Sequence, residues 1–99
     1  MADRDRERER AVLLRIQGQV QGVWYRGWTL REARRRGLRG WVRNRNDGSV
    51  EALFIGPDRT VAEMVAACRK GPPAAGVTAV TERGAEDDGS LEFYQRPTE

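Results

Sequence analysis

A chain of 99 residues with 38% hydrophobic and 33% charged residues is expected to form one soluble domain with a single modest core. It has no histidine and one cysteine, Cys68, which excludes histidine-dependent catalysis, a disulfide framework and a cysteine-rich metal site. The net charge of +3 rests almost entirely on arginine and does not distinguish an anionic ligand from a genomic preference for that residue. No apolar stretch reaches the roughly 18 residues of a membrane span, and the N-terminus lacks the apolar part of a signal peptide, so we expect a cytoplasmic protein without membrane contact.

The first third of the chain predicts a tail, a strand, a loop and a helix. Residues 1–10 alternate acids and arginines and predict a disordered tail before a single domain over 11–97. Alternating apolar residues predict a strand over 11–17. A loop follows over 18–25, and a helix is expected over 26–36.

The remainder predicts a hairpin, a second helix and two short strands. Asp47-Gly48 is a strong turn signal between predicted strands over 39–45 and 49–55. Asp58 is expected to cap a helix that ends near residue 69. Two further strands are predicted, over 77–83 and 91–96. The order β-α-β-β-α-β with a short extra C-terminal strand predicts an α+β protein, a two-layer α/β sandwich of the ferredoxin-like type.

The segment 18–26, GQVQGVWYR, places two glycines four residues apart between the first predicted strand and helix. Glycine reaches backbone conformations closed to other residues, which suits a plain turn. The same glycines would let consecutive amides converge on an anion at a helix N-terminus, where Arg26 adds a guanidinium group. On these residues alone, a turn and a phosphate site both stay open.

A second polar segment is 40–50, GWVRNRNDGSV, in which Asn44 stands near the end of a predicted strand. Asparagines near turns often bond the local backbone. The alternative is a side chain that holds a water molecule. In a ferredoxin-like fold the loop over 18–25 and this strand can lie side by side, which would bring Asn44 into the pocket of Arg26.

Together the two segments closely resemble the two signature motifs of the acylphosphatase family. Both segments, with Gly56 after them, agree with the family in residue type, spacing and order. The resemblance covers about residues 11–97, including CRKGPPAAGV and FYQRPT. It implies hydrolysis of an acyl phosphate to a carboxylate and inorganic phosphate, by a small, monomeric, cytoplasmic enzyme that needs no metal or other cofactor.

The resemblance also implies the roles of individual residues. The phosphate would rest on Arg26 and on the backbone amides of the loop, while Asn44 would position the attacking water. The loop residues are Gln19, Val20, Gln21, Gly22, Val23, Trp24 and Tyr25. Inorganic phosphate is expected to compete with the substrate. Arg45 stands where some family members carry threonine, so this chain has no hydroxyl group there.

Elementary chemistry agrees with that implication. The leaving carboxylate has a conjugate acid with a pKa near about 4.3, so it departs without a general acid. The P–O bond can break through a loose transition state, which leaves the protein to supply positioning and charge stabilisation. Amides, one arginine and one asparagine are enough for that task.

Two other functions fit the fold class. One is a non-catalytic module that binds RNA or a regulatory partner through the arginines between residues 31 and 39. RNA-binding sheets present aromatic side chains, and those of the later strands are scattered, so no nucleic-acid partner is expected. The other is a carbamoyl-phosphate-handling domain of a larger enzyme, which the lack of a further domain in this chain disfavours.

Overall fold

The computed structural model describes residues 8–99 as five strands and two helices. In chain order these are β1 (Glu9–Gln19), α1 (Tyr25–Arg35), β2 (Arg39–Asn44), β3 (Val50–Pro57), α2 (Asp58–Lys70), β4 (Gly76–Gly84) and β5 (Phe93–Gln95). The predicted order of elements is confirmed. Residues 1–7 of the predicted tail lie outside the described residues. Neither described helix is long and apolar enough to cross a membrane.

The strands form one sheet in the order β4-β1-β3-β2-β5. β1 pairs antiparallel with β3 and β4, and β2 pairs antiparallel with β3, while β5 runs parallel to β2. Buried residues of both helices join a single core cluster on one face of this sheet. The predicted two-layer, ferredoxin-like α+β fold with a short extra strand is therefore confirmed.

The alternation of side chains along each strand separates the two faces of the sheet. Val12, Leu14 and Ile16 of β1 point into the core and are fully buried. Burial of each such side chain contributes about 1.5–3 kcal/mol to the free energy of folding. The same alternation on β2 places Val42 in the core and directs Asn44, two residues later, to the helix-bearing face.

The first strand begins at Glu9, two residues before its predicted start. Arg10 pairs with Gly56 of β3 in the sheet, and its guanidinium group binds Asp58 at 2.9 Å and Glu82 at 2.8 Å. Residues 9 and 10 therefore belong to the folded domain rather than to a disordered tail, because their charges find partners distant in sequence.

The hairpin turn and the start of α2 differ in part from the turn and cap residues that the sequence predicts. Gly48 has a φ of 94° in the hairpin turn, whereas Asp47 does not adopt positive φ and instead accepts the Ser49 amide at 2.9 Å. The expectation that Asp58 caps α2 is wrong, since Pro57 occupies the cap position and no described side chain caps the helix. Asp58 is the first helical residue, where its charge favours the positive end of the helix dipole.

The open face of the sheet is covered by charged side chains rather than by helices. Trp41 is only 6% exposed, because the guanidinium groups of Arg43 and Arg96 lie 4.9 and 4.7 Å from its ring centroid. Its indole N–H donates to Asp88 at 3.2 Å. The Trp41 ring is thus covered within the chain, whereas Tyr94, its partner on β5, is exposed on the same face.

The C-terminal residues continue along the edge of β2 after β5 ends. The amide of Arg96 donates to the carbonyl of Val42 at 2.9 Å, and the amide of Glu99 donates to the carbonyl of Asn44 at 3.2 Å. The Glu99 carboxylate also pairs with Arg43. The segment 96–99 is therefore fastened beside the strand end that carries Asn44.

Candidate active site

A cavity of about 290 Å³ opens between the loop after β1, the N-terminus of α1 and the end of β2. Its walls are formed by Val20, Gly22, Trp24, Tyr25, Arg26, Gly27, Asn44 and Gln95. The cavity brings together both side chains predicted to act in the site, Arg26 and Asn44, with four of the seven predicted loop residues. The other three, Gln19, Gln21 and Val23, are not among its walls.

The two glycines of the loop have different functions. Gly18 lies in β1 with a φ of 121°, at a break in the register with β4, and a β-carbon there would lie 2.1 Å from the carbonyl oxygen of Gly76. Gly22 has a φ of 77°, is surrounded by open space and lines the cavity. Gly18 therefore permits the close approach of β4. Gly22 shapes the loop itself.

Trp24 turns the loop into the helix through a strained backbone. With φ 68° and ψ 23°, it is the one residue other than glycine with positive φ among residues 8–99. This left-handed conformation costs an L-residue about 1–2 kcal/mol. Strain of this kind is concentrated at functional sites, and backbone turns that align successive amides form concave sites for anions.

The first turn of α1 presents amides without helical acceptors to the cavity. The first hydrogen bond of the helix runs from the amide of Trp28 to the carbonyl of Trp24, at 3.0 Å. The amides of Tyr25, Arg26 and Gly27 precede it. No side chain of residues 8–99 caps this end, and the first turn contains no acidic residue. The positive end of the helix dipole therefore faces the cavity without a compensating charge.

The Arg26 side chain adds a full positive charge to this wall. It is half-buried, and within residues 8–99 it forms no ion pair and no side-chain hydrogen bond. Most other arginines of the helix and its flanks have partners, such as Arg35 and Arg36, which both bind Glu32 at 2.7 Å. Since no carboxylate lines the cavity, the charge of Arg26 gives it a positive potential, which favours an anion over a cation.

Asn44 supplies a neutral acceptor to the same cavity. It is the last residue of β2, and its side-chain Oδ1 is buried without a hydrogen bond to any described residue. Buried polar atoms in proteins are nearly always hydrogen-bonded to protein or to water. An acceptor in this state, on the wall of an open polar cavity, is suited to bind the proton of a water molecule or ligand.

Gln21 ties the loop to the hairpin that carries Asn44. Its side-chain amide donates to the carbonyl oxygens of Arg45 and Ser49, each at 2.8 Å. Both bonds are partly buried and join residues more than twenty positions apart in the chain. The Gln21 side chain therefore holds the loop against the strand end instead of facing the cavity.

The family model for acylphosphatase matches residues 12–94. The chain belongs to the acylphosphatase family. An acylphosphatase of Rhodospirillum rubrum is 54% identical over 91 residues, which cover 90% of this chain and 98% of that protein. An acylphosphatase of Rhizorhabdus wittichii is 45% identical over 98 residues, or 99% of either chain. The crystal structure of acylphosphatase from Bacillus subtilis matches with a TM-score of 0.84 and 34% identity, over 87% of this chain and 97% of that one.

These matches confirm the predicted family and the enzyme class. As an acylphosphatase, the chain catalyses the hydrolysis of acyl phosphates.

Two residues of this acylphosphatase line the cavity without having been predicted from the sequence. Gly27 follows Arg26 in the first turn of α1, and Gln95 reaches the cavity from β5. Gln95 pairs with Val42 across the parallel β2–β5 contact, which puts it on the same face of the sheet as Asn44. A parallel pairing between distant strands leaves no local signal in the sequence.

Arg45 does not contribute to the cavity of this acylphosphatase. Alternation along the chain directs it to the opposite face from Asn44, where its guanidinium group binds the buried Glu51 carboxylate at 3.1 Å. Glu51 also binds Arg43 at 2.9 Å. The side chain that replaces the threonine of some family members is therefore engaged in a charge network on the open face of the sheet.

The only thiol of this acylphosphatase is a core group. Cys68 is fully buried, and burial raises the pKa of its thiol to about 12. The hydroxyl of Tyr25 donates to the Cys68 carbonyl at 2.6 Å, and burial strongly raises the Tyr25 pKa. Neither group can supply a nucleophile near neutral pH. Their contact instead anchors the start of α1 to α2.

A cavity of similar size, about 280 Å³, lies on the open face of the sheet and has a different electrostatic character. Its walls include Arg15 and Glu51. Arg15 binds Asp47 at 3.2 Å and Glu51 at 3.7 Å. Arg83 also lines this second cavity and forms no ion pair within residues 8–99, so the two cavities differ in the presence of a carboxylate rather than in the presence of an unpaired arginine.

Proposed function

We propose that the cavity at the N-terminus of α1 is the active site, in which Arg26 and the loop amides hold the phosphoryl group and Asn44 positions the attacking water. The observation that carries the proposal is the buried Oδ1 of Asn44, which lacks a hydrogen bond within the described residues and shares the cavity with Arg26. An anion-binding wall and a free acceptor are the two parts that such a hydrolysis needs.

The anion-binding wall accounts for substrate binding. Arg26 donates in a forked geometry that matches two phosphate oxygens. The amides of the loop add further donors, and four of the loop residues, Val20, Gly22, Trp24 and Tyr25, line the cavity. Hydrogen bonds to a charged group contribute about 1.5–3 kcal/mol each. Inorganic phosphate offers the same oxygens and therefore competes with the substrate.

The Asn44 side chain accounts for the attack. Its carboxamide is neutral and takes up no proton, so it acts by accepting a hydrogen bond from water and fixing the direction of the water oxygen. That oxygen forms a new bond to phosphorus, while the bond to the acyl oxygen breaks and its electron pair leaves with the carboxylate. The proton of the water passes to a phosphate oxygen or to solvent.

The chemistry needs little else. The leaving carboxylate is stable without protonation near neutral pH, and a loose transition state makes weak demands on the nucleophile. We infer that no metal ion takes part, because the amides and Arg26 already stabilise the charge on the phosphoryl oxygens. A monomeric state and a cytoplasmic location complete the proposal.

An RNA-binding function has less support. The arginines around α1 are largely engaged within the chain, as in the bond from Arg34 to the Phe93 carbonyl at 2.9 Å and the pairing of Arg39 with Asp87 at 2.9 Å. The aromatic ring of Trp41 on the open face is covered by arginines. RNA-binding sheets stack two or three bases on aromatic rings, and Tyr94 is the one exposed ring among the described residues of this face. We therefore expect no salt-dependent shift of an RNA in a mobility assay.

The experiment is the hydrolysis of benzoyl phosphate by the purified protein in the presence of EDTA. Arg26→Ala should raise the inhibition constant for inorganic phosphate and lower kcat/KM by about 100-fold or more. Asn44→Ala should lower kcat by about 100-fold with a much smaller change in KM.

Each control variant replaces a residue of the same type, an asparagine or an arginine, outside the cavity. Asn46→Ala removes an exposed asparagine of the same hairpin, and Arg69→Ala removes an exposed arginine of α2. Both should keep wild-type kinetics. Lack of activity in the wild-type protein would reject the proposed site as a whole, whereas full activity of Asn44→Ala would reject only the role of that side chain.

A further inference from the structure

Trp24 places a large exposed aromatic ring at the mouth of the cavity. Trp24 lines the cavity and is 56% exposed, and its indole lies against Gly27, which also lines the cavity. Large exposed hydrophobic side chains occur at two other positions of the described chain, Leu91 and Tyr94, and neither lines the cavity. An indole exposed to water does not contribute the free energy that its burial would provide, so the exposed position of Trp24 calls for an explanation.

The chain makes room for this ring at the expense of helix stability. A β-carbon at Gly27 would lie 2.1 Å from the indole Nε1 of Trp24 and 2.7 Å from Cδ1. Gly27 lies inside α1, where glycine costs about 1 kcal/mol relative to alanine. Its φ is not in the region that requires glycine. The contact with the indole is therefore the reason that the structure gives for a glycine at this position.

A cation holds the ring from the next turn of the helix. The guanidinium carbon of Arg31 lies 4.9 Å from the centroid of the Trp24 ring. Within residues 8–99, Arg31 forms no ion pair with a carboxylate. A cation over an indole contributes about 0.5–1 kcal/mol at an exposed site. The ring is thus held in place at the mouth by Gly27, Arg31 and the left-handed backbone of Trp24 itself.

We infer that the Trp24 indole is the acyl-binding surface of the site and favours acyl phosphates with a planar, aromatic acyl group. The inference rests on the proposed function and extends it to substrate class. When the amides and Arg26 bind the phosphoryl oxygens, the remaining oxygen, which carries the acyl group, points toward the mouth. There the acyl group meets the indole. Stacking between aromatic groups contributes enough to change kcat/KM by up to about tenfold.

The first test compares kcat/KM for benzoyl phosphate and acetyl phosphate, measured with the same enzyme. Asparagine tolerates the left-handed backbone, so Trp24→Asn removes the ring and keeps the turn. We expect this variant to lower the benzoyl-to-acetyl ratio by about tenfold and Trp24→Phe to retain most of it. Tyr94→Asn, which removes another exposed ring, should leave the ratio at the wild-type value. An unchanged ratio in an active Trp24→Asn protein would overturn the inference.

The second test needs no active variant. In a ¹⁵N-labelled wild-type protein, the indole N–H signal of Trp24 is assigned as the one that Trp24→Phe lacks. Titration with benzylphosphonate should move that signal more than titration with methylphosphonate. Equal shifts at saturation with both probes would overturn the inference while leaving phosphate binding intact. A wild-type protein that hydrolyses neither substrate would instead reject the proposed function.

Discussion

The side-chain amide of Gln21 donates a 2.8 Å hydrogen bond to the carbonyl oxygen of Ser49, and so connects the loop after β1 to the far end of the hairpin. A second bond of the same length reaches the carbonyl of Arg45, which follows Asn44 directly. One side chain therefore sets the spacing between the anion-binding wall and the strand end opposite it.

Loss of this connection should affect catalysis more than the overall fold. Gln21→Ala removes two partly buried hydrogen bonds, although the carbonyls of Arg45 and Ser49 each keep a backbone donor. The loss of the two bonds should lower the free energy of unfolding by about 1–2 kcal/mol. We expect kcat/KM for benzoyl phosphate to fall about tenfold, because the proposed site depends on the spacing that Gln21 sets. Urea unfolding and steady-state kinetics measure the two effects. Gln17→Ala, at an exposed position of β1, should change neither, and an equal loss in that control would contradict the assignment.

Gly18 should be sensitive to substitution for a steric reason. In Gly18→Ala the new β-carbon would meet the carbonyl of Gly76 on β4, and the φ of 121° is unfavourable for alanine. We expect a loss of at least about 2 kcal/mol in the free energy of unfolding, measured in urea. Gly84→Ala is the matched control, because a β-carbon there meets nothing within 4 Å and the backbone is not strained. Comparable losses in both variants would contradict the steric explanation.

Gly27→Ala should change the substrate preference of the enzyme without lowering the stability of the fold. Alanine favours the helix by up to about 1 kcal/mol, and the exposed Trp24 ring can rotate away from the new methyl group. We therefore expect unchanged or slightly higher stability together with a lower benzoyl-to-acetyl ratio of kcat/KM. In a Trp24→Asn background the same substitution should no longer change that ratio. Independent, additive effects of the two substitutions would show that Gly27 does not act through the ring.

The free energy of unfolding should fall at acidic pH, because Asp47 in the hairpin turn becomes protonated. Hydrogen bonds from the Ser49 hydroxyl and the Ser49 amide hold the pKa of Asp47 below its usual range, and Arg15 adds to the effect. A lowered pKa in the folded state stabilises the protein above the ordinary carboxyl pKa of about 3.9, and this contribution is lost as the pH falls below it. Wild type should unfold at similar urea concentrations at about pH 7 and pH 5 and at a lower one near pH 3. Asp47→Asn should show a smaller decrease, and an identical decrease would contradict the role of Asp47.

The sheet and its core could be predicted because their signals are local. The alternation of Val12, Leu14 and Ile16 predicts a half-buried strand from seven adjacent residues, and Asp47-Gly48 predicts the hairpin from two. The end of α1 also agrees with the helix predicted over 26–36, since the helix ends at Arg35 and Gly37 follows with a φ of 72°.

The finer geometry of the site could not be read in this way, because it depends on contacts between distant segments. Gly18 was expected to shape the loop, but its conformation serves a close approach to β4 that only the fold creates. The left-handed backbone of Trp24 contradicts the local preference of tryptophan. Aspartate often caps helices, but the carboxylate of Asp58 binds Arg10, which lies 48 positions earlier in the chain, instead of the helix.

The fastening of residues 96–99 along β2 has a practical consequence for any work with this enzyme. The amide of Glu99 is bonded to the carbonyl of Asn44, so residues fused after Glu99 would emerge beside the proposed water-positioning side chain. An affinity tag joined directly after Glu99 would therefore alter the catalytic neighbourhood, and kinetic comparisons between variants should use protein without a tag at that position.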